Sequence, residues 1–499
     1  MSKKILNQNF EISRVLPKEQ DITGSIQINK MTSESTLGWI SYIITSVGNF
    51  SIQYNFQAIS VALLVMSASL CTSNDDDCKQ GTQAAWVKGT ASAVVFVGAG
   101  VGQLSMGYLG DIIGRTKALK LTLSLACVSA ALSAAAPNDS ATTVYSLVIV
   151  FRFFLGVGVG GVYPLAATKA AEDGGGSEGK GLNSITSALA FFWQAPGTMF
   201  PWLVALSFSR SDMTADQKWR LLLGLGAVPA FFVVVGTIIE QTLKTENIPS
   251  KQSSSVTQSD GTVIEMTVWD HLKDPVNVRK LAVSGGGWFL YDVCFYGMEL
   301  FGGEIVDEID GDHDNISSDA SISDKAWHNS LAFGLGIPAC LLTIWLMQKG
   351  HSLKSLQIYG FLMIAAFFIL MACLFDVLKD ENPDALFAVY CFLLFSLSFG
   401  PNTTTFVLPA TMYPREIRST FNGISAACGK LGAVVGAYLF PSMSLVVSYP
   451  PIMVICALVA IAGAALTHFY LDEEDPINQV KRAAPKDIEE DSPGKGLLN

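Results

Sequence analysis

The sequence predicts an all-α polytopic membrane protein with about twelve transmembrane helices in two bundles of six. Three observations carry this expectation. Of 499 residues, 50% are hydrophobic and only 15% are charged, with a mean hydropathy of +0.39; a soluble chain carries about a quarter charged residues. The apolar residues fall in continuous blocks that match the roughly 20 residues needed to cross a bilayer, not in the alternating pattern of a barrel strand. One polar segment, rich in Ser, Thr, Gln and Lys over 244–260, divides the blocks six and six. Two six-span halves joined by a cytoplasmic loop are the layout of a transporter whose site lies at the midplane between them.

In chain order, a polar tail over 1–37 precedes blocks at 38–69, 88–109, 119–136, 143–168, 184–207 and 219–239, so the first bundle runs over 38–240. A central loop follows over 241–280, with a short helix expected at 268–273. Blocks at 281–302, 328–348, 355–376, 384–412, 422–446 and 450–470 make a second bundle over 281–471, and a polar tail ends the chain over 472–499. The first tail lacks the short apolar core and small-residue cleavage site of a signal peptide.

Loop charge sets the expected orientation. Arg115, Lys117, Lys120, Lys169, Lys180, Lys349, Lys354, Arg415 and Arg418 fall at one set of junctions, with Lys244, Lys251, Lys273, Arg279 and Lys280 in the central loop. The opposite loops carry only Lys79, Arg210, Lys218, Lys325 and Lys379. By the positive-inside rule both termini are cytoplasmic, and the expected location is the plasma membrane. The net charge of −11 comes largely from loops and the tail and says little about the substrate. Seven cysteines lie within spans as small apolar packers, whereas Cys71 and Cys78 share the first outside loop, where a disulfide can form. Asn138-Asp139-Ser140 and Asn315-Ile316-Ser317 are glycosylation sequons in outside loops.

Asp292 is the most informative residue. It lies inside the apolar stretch 281–301, where a carboxylate costs several kcal/mol unless protonated or paired. Trp288 and Tyr296 stand four residues before and after it, on the same helical face. That face should look at a polar cavity. Lys430, inside the eleventh span, is a second expensive charge: it either offsets an anion as a point-charge donor or snorkels to the interface. Gln194, flanked by Trp193 and Pro196, is a third polar group in an apolar block. No HExxH, nucleophile elbow or metal-spaced His cluster is present, so an enzyme is not expected, and neither a cofactor nor a nucleic-acid partner is.

Several stretches carry a family resemblance. GYLGDIIGR over 107–115 resembles the signature loop of the major facilitator superfamily, with Asp111 and Arg115 able to latch one state through bonds to a neighbouring helix end. The matching loop of the second half, 349–354, is degenerate. RFFLGVGVGGVYPLAAT over 152–168 resembles the phosphate:proton symporter signature GGDYPLSAT, with Val162 in place of the acid. WFLYDVCFY over 288–296, the stretches 399–406 and 409–420, and 423–433 around Lys430 resemble the same family. The resemblance implies a monomeric symporter of inorganic phosphate and H⁺, with Tyr163, Gln194, Trp288, Asp292, Tyr296, Asn402 and Lys430 lining the phosphate site. A protonated Asp292 would then donate to a phosphate oxygen and expel the anion on losing its proton. Arg152 is either a counter-charge or a structural tether.

The departures concern coupling. The family pattern FFTDAYDLF in the first span is here NFSIQYNFQ over 49–57, so both acids are missing, and the PET-containing motif after the sixth span is absent. Asp292 alone carries the proton, or Na⁺ replaces it with Gln53 and Asn55 as oxygen ligands, or the protein is a uniporter. An organic phosphate or another organic anion is the alternative substrate, and a non-transporting nutrient receptor the alternative class.

Overall fold

A computed structural model describes residues 19–71, 85–137, 139–173, 182–208, 211–246, 268–310, 319–444 and 446–472. Cys78, both sequon asparagines, most of the central loop and the end of the C-terminal tail lie outside these residues. The described residues are almost entirely helical: α1 (Glu19–Leu70), α2 (Ala85–Ile113), α3 (Arg115–Ala134), α4 (Ala141–Asp173), α5 (Leu182–Phe192), α6 (Gln194–Phe208), α7 (Ala215–Leu225), α8 (Ala227–Glu246), α9 (Val268–Lys273), α10 (Pro275–Asp310), α11 (Asp319–Gly334), α12 (Gly336–Gln348), α13 (Leu353–Glu381), α14 (Pro383–Ser398), α15 (Pro401–Met412), α16 (Arg418–Ser444) and α17 (Tyr449–Tyr470). The short helix expected at 268–273 is α9.

Apart from α9, the helices make twelve spans. Four spans are split: α5 with α6, α7 with α8, α11 with α12, and α14 with α15. The sequence reading treated each as one helix. Proline explains the interruptions. Pro196, Pro229, Pro338 and Pro401 follow each break by one to three residues, and each removes a backbone donor and crowds the preceding turn. At α14–α15 the turn is completed by Gly400 at φ 68, a left-handed conformation glycine adopts freely. Breaks of this kind are tolerated where the backbone is buried in protein.

Ten spans, with the split helices joined, are long and apolar enough to cross a membrane among the described residues. The other two, α10 and α16, carry Asp292, Glu299 and Lys430 and are rich in Gly and Ser. Polarity concentrates in the helices that face each other at the centre.

Small residues bring the helices together. At Gly160 a Cβ would overlap the Ala99 carbonyl of α2, and at Gly156 that of Val95, so α2 and α4 touch backbone to backbone. This is the small-residue interface expected where lipid supplies no hydrophobic drive between helices. It explains the glycine run in the fourth span, and Thr122 of α3 adds a hydrogen bond to the Gly158 carbonyl at 2.7 Å. Some expected loop charges are not in loops. Lys169, Lys218 and Lys325 are buried, and Lys169 pairs with Glu240 at 2.8 Å while donating to Ser41 at 2.8 Å. Cys71 is disulfide-bonded, and the cysteines within spans are free thiols.

Candidate functional site

Lys430 and Asp292 meet at the centre, where α16 packs along α10. Lys430 Nζ lies 2.9 Å from Asp292 Oδ2 and donates to the Tyr296 hydroxyl at 2.8 Å. Both charged side chains are buried, so Lys430 does not snorkel. The ammonium is enclosed by aromatic faces, with centroids of Tyr296, Tyr163, Phe56 and Phe96 at 4.1, 5.1, 5.2 and 5.6 Å. Desolvated cation–π contacts of this kind are worth about 2 kcal/mol. Three rings come from the first bundle and one from the second. The cation therefore sits at the seam.

Tyr163, next to Pro164 on α4, packs edge-on against Trp288 at 6.0 Å and Phe406 at 6.2 Å. Its hydroxyl donates to Gln194 Oε1 at 3.4 Å, and Gln194 Nε2 donates to Asn49 at 2.8 Å. Gln194 is the first residue of α6, just beyond the break in the fifth span. Asn402 is the second residue of α15, just beyond the break in the tenth. The two breaks thus aim a polar residue from each bundle at the middle.

Gln194 and Asn402 line an enclosed cavity of about 20 Å³ with Gln53, Thr198, Glu299, Phe333 and Ser398. That is room for about one water. A larger substrate has to part the bundles to enter.

The amides of the first span separate. Gln53 Nε2 crosses the seam to Glu299 at 2.7 Å, whereas Asn55 Nδ2 donates to Ser51 at 2.8 Å and Gly226 at 3.0 Å, inside the first bundle. Residues two apart point about 200° apart on a helix of 3.6 residues per turn. The structure therefore does not support their sharing a Na⁺ ion. Arg152 is buried and donates to the Asn55 carbonyl at 2.5 Å, which is the tether reading.

Glu299 is the residue the sequence reading missed. It lies two turns beyond Asp292 on the same helix, near the end of the apolar block, where it reads as a boundary residue, yet it is buried. Its seven-residue spacing from Asp292 was the available signal. Phe56, Phe96 and Phe406 were also missed, since nothing in a phenylalanine distinguishes a ring over a cation from one in a core.

Among the described residues, contacts cross the seam toward both faces. On the face of the termini, Asp111 accepts from the backbone N–H of Thr420 at 2.8 Å and its hydroxyl at 2.6 Å, at the start of α16. A carboxylate there meets the positive end of the helix dipole. Arg115 pairs with Asp111 at 2.9 Å and donates to the Arg415 carbonyl at 2.8 Å, and the Thr168 and Ser419 hydroxyls meet at 3.0 Å. Asp111 thus meets the start of α16, and Arg115 the turn before it, across the seam. On the opposite face, Trp202 of α6 stacks on Phe333 of α11 at 6.4 Å.

The family described as "Sugar (and other) transporter" matches residues 41–243 and 314–474. The chain belongs to that family. It is 35% identical to the inorganic phosphate transporter PT2 of Toxoplasma gondii over 432 residues, 87% of this chain and 72% of that protein. It is 30% identical to the low affinity inorganic phosphate transporter 4 of Lotus japonicus over 70% of this chain and 73% of the relative. The inorganic phosphate transporter 1-1 of Arabidopsis thaliana is 28% identical over 80% and 83%. Among solved structures, the major facilitator superfamily proton:xylose symporter XylE, bound to 6-bromo-6-deoxy-D-glucose, superposes with a TM-score of 0.66 over 90% of this chain and 99% of that one, at 15% identity. A partially occluded inward open form of XylE from E. coli gives 0.64 over 88% and 98%, also at 15% identity. These likenesses establish the major facilitator fold. The chain is a multi-pass membrane transporter, as its motifs suggested.

Proposed function

We propose that this protein carries inorganic phosphate across the membrane by alternating access, coupled to protons. The buried ammonium of Lys430 on the seam between the bundles is the observation that carries the reading. In the structure Asp292 neutralises it. Protonation of Asp292 releases Lys430 to an arriving phosphate and turns the carboxyl into a donor. Tyr296, Tyr163, Trp288, Gln194 and Asn402 supply neutral donors from both bundles, and closure around the anion draws the bundles together. Opening of the face held by Asp111 and Arg115 lets the Asp292 proton escape. The carboxylate then recaptures Lys430 and expels the anion. The names of the phosphate-transporter relatives support this substrate.

The positions assigned to phosphate and to the proton belong to this proposal, as do the domain limits at 240 and 281. So do a monomeric state, a plasma-membrane location and cytoplasmic termini, for which the loop charges argue. The test is radiolabelled phosphate uptake by proteoliposomes with H⁺ and Na⁺ gradients imposed separately. An acid-outside gradient should drive accumulation. Uptake that follows only a Na⁺ gradient overturns proton coupling, and absence of any phosphate flux overturns the substrate.

A further inference from the structure

Glu299 has no part in that cycle, and its surroundings are unusual. It is buried at 2% exposure and lines the enclosed cavity. Its Oε1 accepts from Gln53 Nε2 at 2.7 Å. Gln57, with its amide oriented to satisfy both neighbours, donates to the same Oε1 at 3.3 Å and accepts from the Trp202 indole at 2.8 Å. The Thr198 hydroxyl stands beside the carboxyl but donates to the Gln194 carbonyl at 3.2 Å, so the other oxygen, Oε2, is buried without a well-directed donor, and so is Gln53 Oε1. Two acceptors are thus left bare beside one another's partners. An unmet buried acceptor costs about 1–3 kcal/mol, and more when charged. A single proton on Glu299 Oε2 supplies the missing donor. The carboxyl and the primary amide can then pair edge to edge, N–H to Oε1 and O–H to the amide oxygen.

The charge balance points the same way. The ionisable groups facing Glu299 are Lys430 on α16, Asp292, Tyr291 and Tyr296 on α10, Tyr163 on α4 and Tyr390 on α14. Lys430 is the only cation among them, and it is already paired with Asp292. An ionised Glu299 would leave the cluster with one uncompensated negative charge, which a buried site disfavours strongly. A protonated Glu299 leaves it neutral.

The position gives that proton a role. The Gln53–Glu299 bond joins α1 to α10 across the seam. Gln57 extends it to Trp202, which stacks on Phe333 in the closed face opposite the termini. We propose that Glu299 is a second proton-carrying carboxyl of this transporter, and that its proton holds the face opposite the termini closed. When water reaches the cavity, the proton passes from Oε2 to that water. The carboxylate loses its pairing with Gln53, and the α1–α10 contact parts. Reprotonation from the same side closes it. The inference rests on the transporter reading but not on the identity of the anion.

The test avoids substrate. Spin labels at Asp212→Cys and Asp380→Cys, exposed positions on the two bundles at that face, report its opening by double electron–electron resonance in nanodiscs, in a Cys373→Ser background without phosphate. Between about pH 5 and about pH 9 the open population should rise by up to about tenfold per pH unit, the limit for one proton. Glu299→Gln, which keeps an amide donor toward Gln53, should stay closed throughout. Glu299→Asp should keep the response with a displaced midpoint, and so should Asp292→Asn, which removes a charge facing Glu299 but not the proton that closes the face. An unaltered response in Glu299→Gln, or its loss in Asp292→Asn instead, overturns the proposal. A wild-type protein that opens with pH but gives no heat with inorganic phosphate in calorimetry overturns the substrate reading and leaves this one standing.

Discussion

Lys430 and Asp292 form a pair whose members cannot be removed symmetrically. Lys430→Ala takes away the cation of the pair and leaves a carboxyl facing the arriving anion. Truncating one member of a buried charge pair costs about 2–5 kcal/mol, so phosphate affinity should fall by at least ~30-fold. Lys430→Arg keeps the charge in a bulkier planar head inside an aromatic enclosure fitted to an ammonium, and should recover only part of it. Isothermal calorimetry with inorganic phosphate reads both, and unchanged affinity in Lys430→Ala moves the anion site elsewhere. Asp292→Asn differs in kind. The amide can donate to phosphate but cannot carry a proton. Concentrative uptake should be lost while phosphate–phosphate exchange persists, and full accumulation by Asp292→Asn vesicles removes it from coupling.

The helices make two kinds of contact that fail differently. Within the first bundle, α2 and α4 meet through glycine with no space between backbones. Gly160→Val forces them apart, and over-packing a tight interface costs about 1–3 kcal/mol. A lowered melting temperature in detergent, with phosphate affinity retained in whatever folds, is the expected result; an unchanged melting temperature contradicts the close approach. Between the bundles, α2 and α16 are joined by Asp111 at the start of α16. Asp111→Asn keeps an acceptor but loses the charge that favours the helix end. It should shift the resting population toward opening on the face of the termini. Faster labelling of an introduced Thr168→Cys from that face would register the shift, and labelling no faster than with Asp111 intact argues against a latch.

In the whole molecule, Lys430, Asp292 and Glu299 are buried together at the centre of the seam, and on the proposed cycle the bundles close over them only when their charges balance. Phosphate entering as its monoanion with one proton on Asp292 keeps the sum unchanged, as long as Glu299 stays protonated. Uptake should therefore be electroneutral. In proteoliposomes at fixed pH gradient, a potential clamped with potassium and valinomycin should change the initial rate little. A rate that scales with potential means that net charge crosses and that the proton count is different.

The sequence by itself determined the class, the twelve spans, the superfamily loop and the two charges at the centre. Length, hydropathy and the cost of charge in lipid act on each residue wherever its neighbours are, so Asp292 and Lys430 were legible before any contact was known. Which partner each polar group takes is a different matter. Gln53 and Asn55 look alike on the chain, yet one faces the other bundle and one its own, because helix rotation is set by packing. The aromatic enclosure from two bundles and the proximity of Glu299 to Gln53, 246 residues away, arise only when the halves close on one another. The seam is made by tertiary contact between groups far apart in the chain, and no local pattern encodes it.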